Sequence, residues 1–135
     1  MSDEIKVFIA SDEDVVTARQ EGRSLAESLG FSKVDATLVA TAISEVARNV
    51  VQYVGEGEVV ITPLTPGGRR GICIVIRDSG PGIPSIDLAM KNEHPSGGRT
   101  GLGLPGARRL MNEFEIESHE GHGTTVTMVK WQVSA

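Results

Sequence analysis

The chain has 135 residues, 39% hydrophobic and 23% charged, and its 18 acidic and 13 basic side chains leave a formal net charge of −5. Such a chain fits one globular domain, residues 1–135, with a sizeable core, and the lack of a long basic run argues against nucleic acid or an anionic membrane as main partner. No run of about 18 apolar residues crosses a bilayer, Met1–Lys6 do not open a signal peptide, and the lone Cys73 reads as a small buried hydrophobe in a reducing compartment, so a cytoplasmic location is expected.

Ile5–Ala10 reads as a short strand. Ser11, with Asp14 three residues on, has the spacing of a capped helix start, and a helix is expected over about Asp12–Leu29, with Gly30 as its stop. Ser32 is a second N-cap candidate. The helix after it reaches about Tyr53, its apolar stripe being Val39, Ile43, Val46, Val50 and Tyr53 or Val54, before Gly55 and Gly57. Val59–Leu64 and Ile72–Ile76 read as strands joined through Pro66-Gly67-Gly68, the second apolar throughout like a central strand. Asp78–Pro84 is a loop, Ser85–Met90 a candidate short helix, and Lys91–Gly103 a polar, Gly-rich stretch. A helix restarts at Leu104-Pro105, where Pro suits the first turn, and runs to about Met111. Phe114–Glu120 and Thr124–Gln132 close the chain as two strands around Gly121-His122-Gly123. The order β-α-α-β-β-α-β-β predicts an α+β, two-layer sandwich: a mixed β-sheet with helices on one face.

Four motifs carry the chemistry. Glu45 and Asn49, four apart on the second helix, share a face bordering the apolar stripe. A carboxylate there is a reasonable proton acceptor and an amide oxygen a reasonable Mg²⁺ ligand; taken alone, the pair also suits an ordinary helix surface. Asp78-x-Gly80-x-Gly82-Ile83 puts a carboxylate at the end of a buried strand, where it can accept from a ligand's amino group while the glycines let the backbone pass close; a plain turn has the same composition. Gly97-Gly98-Arg99-Thr100-Gly101-Leu102-Gly103 leads free backbone N–H groups to a helix start, a place suited to phosphate or simply a flexible loop. It is not a P-loop, since no Gly-Lys-Ser/Thr follows. Gly123-Thr124 opens the last strand, as a hairpin turn would.

Taken in order, Glu45-x-x-x-Asn49, Asp78-x-Gly80-x-Gly82, Gly101-x-Gly103 and Gly123-Thr124 resemble the motifs of the GHKL ATP-binding family, which spans histidine-kinase ATPase domains, gyrase-type ATPases and Hsp90. None of His94, His119 and His122 lies on a predicted helix, so histidine autophosphorylation within the chain is not expected. The chain is most similar to the small bacterial serine kinases that control sigma factors by partner switching, in particular the switch kinases of the stressosome. Ala42-Ile43-Ser44-Glu45, Ala47-Arg48-Asn49, Gly80-Pro81-Gly82-Ile83-Pro84, Gly103-Leu104-Pro105-Gly106 and Arg109-Leu110-Met111 carry that likeness, which runs nearly end to end.

The resemblance implies ATP and Mg²⁺ as cofactors, with Asn49 as metal ligand and Glu45 as the catalytic group that orients or deprotonates a serine hydroxyl. It implies that Asp78 accepts from the adenine amine, that Gly80, Gly82 and Ile83 line the base, that Gly97–Gly103 cover the phosphates, and that Thr124 lies near adenine through water. Arg48 and Arg99 can meet phosphate, Arg48 equally a partner or solvent. The implied substrate is a STAS-domain protein, phosphorylated on serine or threonine, and the implied second partner a phosphatase activated by the released kinase. The partner surface is looked for on the first helix and the exposed side of the second. Two other readings stay open: an anti-sigma-factor kinase, and a non-catalytic module whose bound ATP only sets conformation.

Overall fold

In the computed structural model, residues 4–80, 104–119 and 121–132 are described. Strand β1 (Ile5–Ile9) leads into helix α1 (Asp12–Ser28) and then α2 (Lys33–Tyr53). Strands β2 (Gly57–Leu64) and β3 (Gly71–Asp78) are joined through a 3₁₀ turn at Pro66–Gly68. Helix α3 (Leu104–Leu110), β4 (Glu113–His119) and β5 (Gly123–Trp131) complete the described order.

The two long helices start and stop where their sequence directs. Ser11 Oγ accepts from Asp14 N–H at 3.3 Å, while the Asp14 carboxylate accepts from Ala10 N–H at 2.9 Å. One orphan amide of the α1 start and the amide just ahead of its cap are thereby paired. At the far end Gly30 takes φ +93°, and Phe31 N–H returns to Ala26 O at 3.0 Å, the double-bonded stop that a left-handed residue permits. Phe31 is only 5% exposed, the apolar contact that accompanies such a stop. Ser32 Oγ then caps α2 by accepting from Asp35 N–H at 3.0 Å.

The five strands form one sheet in the order β1-β2-β3-β5-β4, and every pairing among them is antiparallel. The α+β sandwich is as expected, but the sheet is not mixed. A pair of helices between β1 and β2 turns the chain round an extra time, so β2 runs against β1. After the connection that ends in α3, β4 runs in the direction of β3, but β5 inserts between those two and runs against both.

Helices α1 and α2 pack on the sheet face that carries Ile61, Ile72, Ile74, Ile76, Val126 and Met128, each at most 3% exposed. Val39, Ile43, Val46 and Val50 of α2, members of the stripe read from the sequence, meet them, whereas Tyr53 and Val54 at its expected end are exposed because α2 has run past the sheet there. Full burial of each such side chain is worth roughly 1.5–3 kcal/mol relative to exposure. Gly22 lets α1 approach closely: a Cβ there would run into Ile43 Cδ1. Helix α3 is tied down at its C-terminus by Lys130 Nζ, which donates to Leu110 O at 2.8 Å. No helix among the described residues is long and apolar enough to cross a membrane.

Candidate functional site

Four of the sequence-marked residues, Glu45, Asn49, Asp78 and Thr124, stand on regular elements. Glu45 and Asn49 are one turn apart on α2, both half-buried. The Glu45 carboxylate lies 3.8 Å from the Arg48 guanidinium, an exposed i,i+3 pair of the kind that contributes little. Asn49 Nδ2 is different: it is buried and has no hydrogen-bond partner among the described residues. A buried donor left unmade costs about 1–3 kcal/mol. Its presence marks a place where an acceptor from outside the described chain is wanted.

Asp78 ends β3, opposite Thr124 of β5. Its Oδ1 accepts two backbone N–H groups, from Gly80 at 2.9 Å and from Thr124 at 3.3 Å. No hydrogen bond to Oδ2 is found among the described residues, so that oxygen remains an acceptor for a ligand. The two glycines beside Asp78 are required sterically. A Cβ on Gly80 would meet Val54 Cγ1 and Cγ2 at 2.8 Å and Asp78 Oδ1 at 3.2 Å. Gly123 adopts φ +93°, and a Cβ there would strike the Asp78 carbonyl oxygen and lie 2.9 Å from Ser79 Cα. Glycine is thus what lets β5 begin against the end of β3.

Thr124 is 9% exposed, one of two buried polar residues among those described, and its Oγ1 lies 2.9 Å from Ser118 Oγ. The sequence reading did not single out Ser118. Counting back across the Gly121–Gly123 turn would have found it, because Ser118 and Thr124 are direct register partners. Val54, which closes on Gly80, was read only as part of the apolar stripe of α2. Gly82, Ile83 and the stretch Gly97, Gly98, Arg99, Thr100, Gly101, Leu102 and Gly103 lie outside the described residues, as does the expected short helix at 85–90.

A separate cleft of about 460 Å³ opens between α1 and α2, lined by Val15, Val16, Arg19, Ser44, Arg48 and Val51 among others. It reaches none of Asn49, Asp78 and Thr124. Among the described residues no group of three or more His, Cys, Asp or Glu side chains could hold a metal ion.

A carboxylate at the end of a central strand, flanked by two glycines that leave no room for a side chain, faces the helix that carries Glu45 and the Asn49 amide, whose Nδ2 has no partner among the described residues. A family model for the histidine kinase-like ATPase domain matches residues 8–130. The chain belongs to that family. It is 44% identical over 131 residues to the serine/threonine-protein kinase RsbT of Bacillus subtilis, covering 97% of this chain and 98% of that one. It is 30% identical over 128 residues to an anti-sigma F factor of Clostridium acetobutylicum and 27% identical over 127 residues to that of Clostridium kluyveri, with 91% of this chain and 89% of each relative covered. The four sequence motifs between Glu45 and Thr124 fall within the matched span, and so do the pairings of the sheet apart from those of Ile5, Lys6 and Val7 with β2 and of Gly71 with Trp131.

Proposed function

We propose that this chain is an ATP-dependent protein serine/threonine kinase of a partner-switching pathway. In this reading it phosphorylates a STAS-domain stressosome protein and, once released, activates a partner phosphatase in the cytoplasm. The observation that carries the kinase reading is the α2 pair: a carboxylate, Glu45, one turn from an amide, Asn49, whose buried Nδ2 lacks a partner among the described residues. The likeness to RsbT over nearly the whole chain supports the same class.

Each residue then has a task in this reading. Asp78 accepts the adenine exocyclic amine through Oδ2, since Oδ1 is committed to two backbone N–H groups. Gly80, Gly82 and Ile83 line the base, and Thr124 approaches it through water. Gly97–Gly103, with Arg99, Thr100 and Leu102, cover the phosphates ahead of α3. The Asn49 side chain suits a triphosphate with its cation: the buried Nδ2 would donate to a phosphate oxygen, and Oδ1 would offer Mg²⁺ a hard oxygen ligand. When bound, the cation neutralises charge on the phosphate oxygens. Glu45 orients the acceptor hydroxyl for in-line attack. The hydroxyl oxygen bonds to the γ-phosphorus, the bond from phosphorus to the β,γ-bridging oxygen breaks, ADP departs, and the hydroxyl proton passes to the Glu45 carboxylate.

Transfer from labelled ATP with Mg²⁺ to a purified STAS-domain protein tests the reading. Glu45→Gln is expected to keep nucleotide affinity and lose about 10²–10⁴-fold in transfer, the usual worth of a positioned proton acceptor. Native transfer by that variant removes Glu45 from the chemistry. ATP binding with no transfer by the unaltered protein leaves the nucleotide-gated binding module instead. The similarity to anti-sigma F factors favours a second reading, an anti-sigma-factor kinase, and retention of a sigma factor on the immobilised protein in the presence of ATP separates the two.

A further inference from the structure

The cleft of about 460 Å³ between α1 and α2 is built from one stripe of each helix, Val15, Val16 and Arg19 on α1 and Ser44, Arg48 and Val51 on α2. Gly22 meets Ile43, while Val15 and Val51 share the cleft, so lower numbers on α1 oppose higher ones on α2. Arg19 is therefore level with the turn of α2 between Ser44 and Arg48. Val15 is buried, but Val16 is 42% exposed. The Arg19 guanidinium has no hydrogen bond or ion pair among the described residues. Arg48 has the loose pair with Glu45, at 3.8 Å and with the two side chains 47% and 38% exposed. Asp12 also lines the cleft, but it stands seven residues from Arg19, about 10 Å along α1.

Two under-used guanidiniums beside an apolar floor, on a chain of net charge −5, call for an acidic partner that also brings an apolar side chain. A bare anion would leave the floor uncovered. The position of the cleft says what such a partner is for. Ser44 and Arg48 each precede a residue of the Glu45 and Asn49 pair, so the cleft face and the catalytic face are neighbours on α2, about 100° apart. A protein seated in the cleft stands beside Glu45, and Arg48 is the side chain that reaches both.

We propose that the α1–α2 cleft docks an acidic segment of the protein that receives the phosphoryl group, and that Arg48 passes from Glu45 to a carboxylate of that segment as it docks. This rests on the reading of the chain as a kinase. An apolar side chain of the segment covers Val16 and Val51, and its carboxylates meet Arg19 and Arg48. A guanidinium forks onto a carboxylate through two parallel N–H groups, a stronger contact than an exposed pair at 3.8 Å. Docking thus frees Glu45 when an acceptor hydroxyl is at hand.

The test uses the full chain and a purified STAS-domain protein in two measurements. Titration calorimetry with a non-hydrolysable ATP analogue and Mg²⁺ gives the affinity, and transfer from labelled ATP gives KM and kcat. Arg19→Gln and Arg48→Gln are each expected to weaken binding and raise the acceptor KM about tenfold to 150-fold, the worth of a hydrogen bond to a charged group. ATP affinity is expected to stay native in both, which also shows that they fold, and kcat at saturating acceptor is expected not to fall. Lys33→Gln removes the same charge from an exposed site about 22 Å along α2 and is expected to leave binding and KM native. Native KM in Arg19→Gln overturns the docking site, and so does an equal rise in Lys33→Gln, which would mark a diffuse charge effect. A lowered kcat in Arg48→Gln shows that Arg48 holds Glu45 through the transfer and overturns the hand-over. Binding that depends on both arginines without transfer upholds the docking site and removes the kinase reading. Transfer with native KM in both variants does the reverse, and a STAS-domain protein that neither binds nor accepts phosphate overturns both.

Discussion

Asp78→Asn and Asp78→Ala are expected to fail in different ways, because the two carboxylate oxygens have different partners. Asparagine keeps a carbonyl oxygen in the Oδ1 position, where Gly80 N–H at 2.9 Å and Thr124 N–H at 3.3 Å still find an acceptor. What changes is the second oxygen, which becomes a donor facing the donor of the adenine amine. A spoiled polar contact of this kind costs about 1–3 kcal/mol, or about fivefold to 150-fold in ATP affinity, with the fold intact. Alanine removes both acceptors at once. Two backbone N–H groups lose their bonds in a half-buried position, for about 1 kcal/mol each. Unfolding entropy near the melting point is about 0.28 kcal/mol/K for 135 residues, so Tm is expected to fall by about 7 °C. Scanning calorimetry of the nucleotide-free proteins and titration calorimetry with ATP read the two effects separately. If Asp78→Asn binds ATP as the unaltered protein does, Oδ2 does not meet the amine. If Asp78→Ala melts with the unaltered protein, the two backbone bonds do not hold the end of β3.

Two further outcomes follow from the same geometry. Asn49→Leu removes a buried donor that has no partner among the described residues, so the nucleotide-free protein is expected to be as stable as the native one or about 1 kcal/mol more so, while ATP with Mg²⁺ no longer raises its Tm; a clear loss of stability would show that the amide is already satisfied. Burial, and to a lesser degree the Glu113 carboxylate, push the Cys73 thiol up from its ordinary range, so it stays protonated at neutral pH and its labelling by a thiol reagent is expected to be slower than that of a free thiol at pH 8 and to rise more steeply with pH. The linked effect on stability has the matching sign: it is intact below the unfolded thiol's pKa and lost as pH rises through the folded one.

The local features of the fold were legible because their causes are local. Ser11 with Asp14, Ser32 and Gly30 mark helix ends through bonds that span at most five residues, and each is found in its expected role. The run Ile72–Ile76 announced a central strand through hydrophobicity alone. Strand ends moved by one or two residues where tertiary contacts decide them. Gly57 and Gly71 belong to strands because Arg77 O and the Trp131 ring press against the place where a side chain would stand. Glu45, Asn49, Asp78 and Thr124 could be marked from residue type and spacing. The lack of a partner for Asn49 Nδ2 could not, since it depends on what surrounds α2 rather than on α2 itself. Ser118 escaped for a related reason: a single serine in an alternating strand carries no signal until the register sets it against Thr124.

The one architectural expectation that failed is also the one on which the site depends. Had β4 followed β3 as its neighbour, a strand–helix–strand unit would have made the sheet mixed, and Asp78 would have stood beside β4. With β5 inserted between them, Asp78 instead faces the first residues after a tight turn. There a glycine at φ +93° lets one strand begin against the carbonyl of another, and there a second backbone N–H, from Thr124, joins that of Gly80 in holding Oδ1. The insertion also puts Ser118 on the far side of Thr124 rather than next to Asp78. A carboxylate with one oxygen tethered and the other without a partner among the described residues, next to a buried hydroxyl, is thus a consequence of strand order. Moving β5 to the edge would leave all of these residues in the chain and dissolve the arrangement they form.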